Sequence, residues 1–393
     1  RARELADQHK TLDVDGGTIK LDGNYPVGTS NVALGNAALD DGSLTGTDNT
    51  GIGANALTAN TTGTANVAVG SASADANTTG GAITAVGAAA LGANTSGSNN
   101  TALGRSALFS NSTASNNTAV GYQSLYTNTT GASNTGIGTY TLAQNTTGAS
   151  NFAGGYNALG ANTTGASNVG VGFRALQSNT TASNNVAIGH IALTANTSGG
   201  GNTAIGGYTL AFNSSGSSNT ALGNSALYDN TSGNSNVAVG ESSLENNTTG
   251  AESTAVGYQA GYSNTTGRIT AVGRHAVKNN TTAVENTGIG YRALRDTTTG
   301  AKNTAVGGDT LLLNSTGYNN SAVGYASLYS NTTGYHNTAL GYYSLLTNST
   351  GLVNTAVGVA ALQTNSTGTG NVAVGASALI SNTTASSNVA VGY

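Results

Sequence analysis

The chain has 393 residues, 58 of them Gly and a single one Pro (Pro26), with no Cys, Met or Trp. Only 7% of residues are charged and the formal net charge is −4, too weak a balance to imply a nucleic-acid or membrane partner. Large apolar side chains are too scarce for a thick globular core, while the lack of charge and Pro argues against disorder, which leaves an ordered fold of thin, regular layers.

The first 30 residues differ from the rest. Residues 1–22 hold nine of the 28 charged side chains. Arg1–Lys10 (RARELADQHK) has helix-forming character and reads as the end of a coiled-coil stalk; Thr11–Ser30 reads as short β structure. Residues 1–30 are therefore expected to form an N-terminal junction or cap, because an open solenoid end exposes unpaired strand edges. No signal peptide is visible, and no apolar run approaches the roughly 18 residues needed to span a bilayer. Beginning at Arg1 and stopping within a repeat at Tyr393, the chain reads as a piece of something longer.

Residues 31–393 are one repeat written 22 times. Segments of the form N-[TV]-A-[VIL]-G, or close variants, recur every 17 residues, except for a first step of 18 (31 to 49) and one of 16 (253 to 269). The consensus is N-T-A-V-G-x-x-A-L-x-x-N-T-T-G-x-x, as in Asn117–Ser133. Gly and Asn-Thr-Thr return in every repeat and the apolar spacing never settles at 3 and 4, which excludes a helical repeat. The pattern predicts an all-β parallel β-solenoid with two short strands per coil, rising about 4.8 Å per coil and so roughly 105 Å in all.

Each repeat position takes an expected role. Positions 2 and 4 (Thr118, Val120) share one strand face and, with Leu at position 9 (Leu125, Leu142, Leu159), are read as a thin core. Position 9 departs from Leu only at Ala74, Gly261 and Val277. Gly at position 5 and Gly or Ala at position 15 mark corners. Asn at positions 1 and 12 suits the same corners, where stacked amides bond from coil to coil. Position 3 is Ala (Ala102, Ala119, Ala204, Ala221) or Gly (Gly51, Gly136, Gly170, Gly288). As the opposite strand face, it reads as a close-packed seam between chains, and three chains about one axis would bury it.

The segments NVAVG (Asn66–Gly70), NTAVG (Asn117–Gly121) and NVAIG (Asn185–Gly189), each followed by x-x-[AS], resemble the head repeats of YadA-like trimeric autotransporter adhesins. The likeness covers about residues 31–393, although the adhesin repeat is shorter by three residues. The 17-residue form, with GGTIKLDGNYPVGTSNVALG at Gly16–Gly35, is similar to the long shafts of tail-fibre-type proteins, many of which end in a self-cleaving intramolecular chaperone domain that this sequence lacks. Both resemblances imply a homotrimeric fibre, extracellular, on a cell surface or on a virion. The implied partners are further copies of the chain, other fibres and cell-surface glycan; catalysis in the shaft is not implied.

No chemistry-bearing constellation stands out. The four His (His9, His190, His275, His336) occupy unrelated repeat positions, and no G-x-S-x-G elbow or P-loop occurs. Acidic pairs are too sparse for a glycosidase site. G-x-G-x-x-A at Gly51–Ala56, Gly170–Ala175 and Gly288–Ala293 follows from Gly at position 3 and has no βαβ context. No Asp recurs as calcium-binding β-rolls require. Neither catalytic residues, nor a cofactor, nor a metal site is expected.

Two features remain. Six of the 12 basic residues, Arg268, Arg274, Lys278, Arg292, Arg295 and Lys302, cluster around the 16-residue coil. Lys278 and Arg295 share position 10 in adjacent coils, where like charges need solvent or a bound anion. The cluster reads either as a solvated face with Glu285 and Asp296 or as a contact for an acidic glycan or another fibre. The corners carry N-[TS]-[TS], as at Asn60, Asn77, Asn128 and Asn145, formally N-glycosylation acceptors that also make good turns. For the function, a non-catalytic fibre shaft stands beside a shaft that itself binds glycans through positions 6, 7, 10 and 11, which include Tyr122, Tyr156, Tyr258 and Tyr325. An ice-binding solenoid is the least favoured of the non-enzymatic readings, since adjacent Thr residues point to opposite faces of a strand.

Overall fold

A backbone that repeats every 17 residues can satisfy its polar groups by stacking each turn on the next. The computed structural model, which describes residues 11–14, 17–20 and 30–393, shows that arrangement. Two strands precede the coils: β1 (Thr11–Val14) and β2 (Gly17–Lys20), an antiparallel pair with Thr11 opposite Lys20 and Val14 opposite Gly17. The helical reading of Arg1–Lys10 lies outside the described residues.

The coils fall into two compact units, divided between Asn185 and Val186. Each is a parallel β-solenoid, with no helix among the described residues. The first carries β3 (Val32–Leu34) to β11 (Val169–Val171), the second β12 (Val186–Ile188) to β24 (Val389–Val391), one strand per coil. Register follows the sequence period. Thr118 lies beside Thr135 and Val120 beside Ile137. The 18-residue step pairs Val32 with Thr50, and the 16-residue step pairs Thr254 with Thr270. Both irregular coils are thus absorbed without disturbing the ladder.

Each coil has one strand rather than the two expected. Positions 6–11 form a turn in which positions 7 and 9 take left-handed backbone, as at Gln123 (φ 52°) and Leu125 (φ 53°); position 17 does the same at Ser133 (φ 60°). For L-residues this conformation costs about 1–2 kcal/mol each. Hydrogen bonds between coils offset it. Gln123 N–H donates to Arg105 carbonyl oxygen (3.2 Å), Leu125 N–H to Thr141 oxygen (2.8 Å) and Ser133 N–H to Ser115 oxygen (3.2 Å). The curl lays the position-9 Leu across the strand and closes a very thin coil.

That thinness reverses the expected inside and outside of the strand. Leu125, Leu142 and Leu159 are fully buried as anticipated, but the residue facing them is position 3. Ala102, Ala119, Ala204 and Ala221, read from sequence as an outer seam between chains, are fully buried within their own chain. Their smallness is a packing requirement, since a Cβ on Gly170 would already lie 3.2 Å from Leu159 Cγ. Thr118 and Val120, read as core, are half-buried and face outward, and their neighbour Ile137 is 47% exposed.

Two columns of buried Asn complete the interior. At position 12, nearly every Nδ2 donates to the Oδ1 of the preceding coil and to the carbonyl three residues on: Asn145 bonds Asn128 (2.8 Å) and Gly148 (2.9 Å), and Asn162 bonds Asn145 (2.7 Å). At position 1, the Oδ1 accepts the main-chain N–H of the next coil, as Asn117 does from Asn134 (2.8 Å). Among the described residues, Asn117 Nδ2 is the single buried side-chain polar atom left without a partner. Buried amides are tolerated only when so satisfied.

Candidate functional site

Outside the thin core, side chains at positions 6, 7, 10 and 11 project from the turn and form columns in which neighbouring coils touch. In the first unit, four consecutive coils contribute a ring: Tyr122, Tyr140, Tyr156 and Phe173. Tyr122 and Tyr140 meet edge to face at 5.4 Å, Tyr140 and Tyr156 at 6.1 Å, and Tyr156 stacks on Phe173 at 5.6 Å. Tyr156 is 45% exposed, with Tyr122 and Phe173 exposed to a similar degree. Arg105 lies over Tyr122 at one end and Arg174 over Phe173 at the other, 6.0 and 5.1 Å from the ring centroids. The Tyr140 phenol is raised above its ordinary pKa, first by desolvation and then by Tyr122, so it remains a hydrogen-bond donor across the neutral range.

Beside this stripe is a cleft of about 280 Å³ lined by Tyr140, Ala143, Gln144, Asn157, Gly160, Ala161 and Gln177. It exists because the position-10 column, filled by Phe109 and Tyr126 in the two preceding coils, shrinks to Ala143 and Gly160 before Gln177. A side chain at Gly160 would collide with Asn157 Oδ1. No carboxylate or cation lines the cleft.

In the second unit three of the six basic residues, Arg268, Arg292 and Arg295, pair with carboxylates. Arg268 bridges Glu252 (3.1 Å) and Glu285 (2.9 Å) on an exposed face. Arg292 grips the buried Asp309 through two nitrogens at 2.7 and 2.9 Å, which raises the guanidinium pKa. Arg295 turns to Asp296 (2.6 Å), while Lys278 lies 5.7 Å over Tyr262 and Arg274 5.7 Å over Tyr258. Asp296 thus offsets the charge of Arg295, while the Lys278 ammonium has the Tyr262 ring beside it. Lys302 has no side-chain partner among the described residues. His275 sits among these cations; burial first, and then Lys278, Arg274, Arg295 and Arg292, push its pKa down. Tyr325 joins a second ring cluster with Tyr342 and Tyr343.

The formal glycosylation sites are closed. Asn60, Asn77, Asn128 and Asn145 are position-12 residues, fully buried, with each Nδ2 bonded inside the coil. The folded chain cannot carry sugar on these nitrogens. Their hydroxylated neighbours lie nearer the surface.

No family model, curated protein or solved structure matches the chain.

The strand face provides the other unabsorbed surface. Position 4 carries Val, Ile or Leu in nearly every coil. In the second unit eight of these, among them Ile188, Leu222, Val323 and Leu340, are 36–47% exposed. Tyr122 and Tyr156 were legible from sequence as surface candidates. Tyr140, Gly160 and the amides around the cleft were not, because the repeat presents all of them as variable positions. The available signal was a Gly at position 10 next to a run of rings.

Proposed function

We propose that the chain is a non-catalytic, shaft-forming subunit of a self-associating fibre, exported or virion-borne, with three copies packed about a common axis through their outer strand faces. The observation that carries this reading is the uncovered column at position 4. Parallel sheets are normally covered on both faces, and contiguous exposed apolar surface on a soluble protein marks an interaction site.

A second copy is the occupant that fits. The column repeats once per coil, so only a partner with the same rise can match it side chain for side chain over many coils. With full burial of an aliphatic side chain removing on the order of 100 Å², the eight exposed residues of the second unit would bury about 300 Å². Position 2 on the same face adds to this, a substantial share of the roughly 800 Å² a side in a standard interface. The corrected seam is therefore positions 2 and 4, and the trimer is the state that the YadA-like and tail-fibre resemblances imply.

Sedimentation velocity tests it. The chain should sediment as a multimer, and Leu222→Lys with Leu340→Lys should yield monomers with an unchanged circular dichroism spectrum. A wild-type chain that stays monomeric at tens of micromolar would refute the proposal.

A further inference from the structure

The cleft in the first unit has the chemistry of a binding site. Asn side chains at positions 1 and 12 are consumed by the ladders. Gln144, Asn157 and Gln177, by contrast, line the cleft with side-chain amides that have no protein partner among the described residues. Each offers donors and an acceptor at fixed places. One wall is aromatic: Tyr140, continuous with Tyr122, Tyr156 and Phe173. Ala143, Gly160 and Ala161, with the smallest side chains, complete the lining.

We propose that this cleft and the adjoining ring stripe bind a neutral oligosaccharide. A sugar ring has one face rich in C–H groups, which packs on the electron-rich face of an aromatic ring, and a rim of hydroxyls that both donate and accept. Ring walls with amide rims answer both requirements. A volume near 280 Å³ lies at the lower end of ligand pockets, about 300–1,000 Å³, and fits one hexose with its chain continuing along the stripe. The lining carries no charge, which selects against anionic sugars. Arg105 and Arg174 are placed over the end rings instead of in the cleft. Rings in four successive coils extend the platform beyond a single sugar. The site lies at positions 6, 7, 10 and 11, so it is independent of the strand face at positions 2 and 4 and of self-association.

The test is an array of neutral hexose- and N-acetylhexosamine-containing oligosaccharides, probed with the full chain. Positives are then titrated by tyrosine fluorescence, which reports cleanly because Trp is absent. Tyr156→Ala should weaken binding at least tenfold and Tyr156→Phe should retain it. Ala143→Gln, which fills the cleft with the side chain found two coils on at Gln177, should abolish binding without lowering the melting temperature. Tyr335→Ala, in the second unit, should leave binding unchanged. The proposal is overturned if no neutral saccharide binds, if only anionic glycans or peptides bind, or if binding survives Ala143→Gln.

Discussion

Replacing Asn145 by Ala strikes the interior at its most repetitive contact. The amide donates to Asn128 Oδ1 and Gly148 oxygen and accepts from Asn162 Nδ2, so three hydrogen bonds vanish. Two of the abandoned groups keep a partner: Gly148 oxygen still accepts from Asn134 (2.8 Å), and Asn162 still reaches Gly165 (2.9 Å). Asn128 Oδ1 is orphaned. At about 1 kcal/mol for each net bond and about 1–3 kcal/mol for a buried unsatisfied group, the loss should be about 4–6 kcal/mol. Guanidinium denaturation followed by circular dichroism measures it, and amide exchange at the flanking coils shows whether the damage is local. The chain contains its own comparison at Thr297, where the ladder breaks. There Asn280 Oδ1 is rescued by Asn286 Nδ2 (3.1 Å), and Asn314 falls back on Thr297 Oγ1 at 3.3 Å. Thr297→Asn should therefore stabilise the chain by about 1 kcal/mol. Asn145→Asp should cost more at pH 7 than at pH 4, because burial raises the new carboxyl's pKa and only its protonated form can donate. A cost below about 1 kcal/mol for Asn145→Ala, with exchange unchanged, would refute the view that the ladder supports the fold.

Three further outcomes are expected. Gly121 has φ 129°, and a Cβ there would lie 2.5 Å from Gly138 oxygen; Gly121→Ala should cost at least about 3 kcal/mol, whereas Gly42→Ala, with open space around it, should be near neutral in the same melt. Asp309→Asn removes a buried charged partner of Arg292 and should lose about 1–3 kcal/mol in denaturant. His275 remains neutral in the folded chain where the unfolded chain already binds a proton. Its contribution is therefore fully present above a pH of about 6.5 and is lost as pH falls through and below that value; unfolding curves at pH 5 and 7 should show a smaller difference for His275→Gln than for wild type.

The coil period, the 18- and 16-residue steps and the burial of Leu at position 9 were all legible, because a stacked coil repeats the same contact and the sequence must repeat with it. The stacked Asn amides could be anticipated for the same reason. What misled was size. Val and Ile at position 4 read as core and Ala119 as surface, yet a coil closed by Leu125 has room opposite it only for a methyl group. The left-handed backbone at Gln123 and Leu125 was invisible because neither residue type signals it; the hydrogen bonds between coils override local preference there. Gly121, by contrast, was readable as a corner, and its positive φ agrees. Along the ring stripe, Tyr122 and Tyr156 were visible singly, but Tyr140 comes from position 7 and joins them only through coil stacking.

The central claim is that coils stack in register, and spin-label distances within the first unit test it most directly. With nitroxides on cysteines at Thr50, Thr118 and Val169, each the second residue of its repeat, the labels lie four and seven coils apart. Pulsed electron resonance should give about 19 Å for Thr50–Thr118 and about 34 Å for Thr50–Val169, a rise of about 4.8 Å per coil. Distances that fail to grow in proportion to coil number would contradict the stacked solenoid.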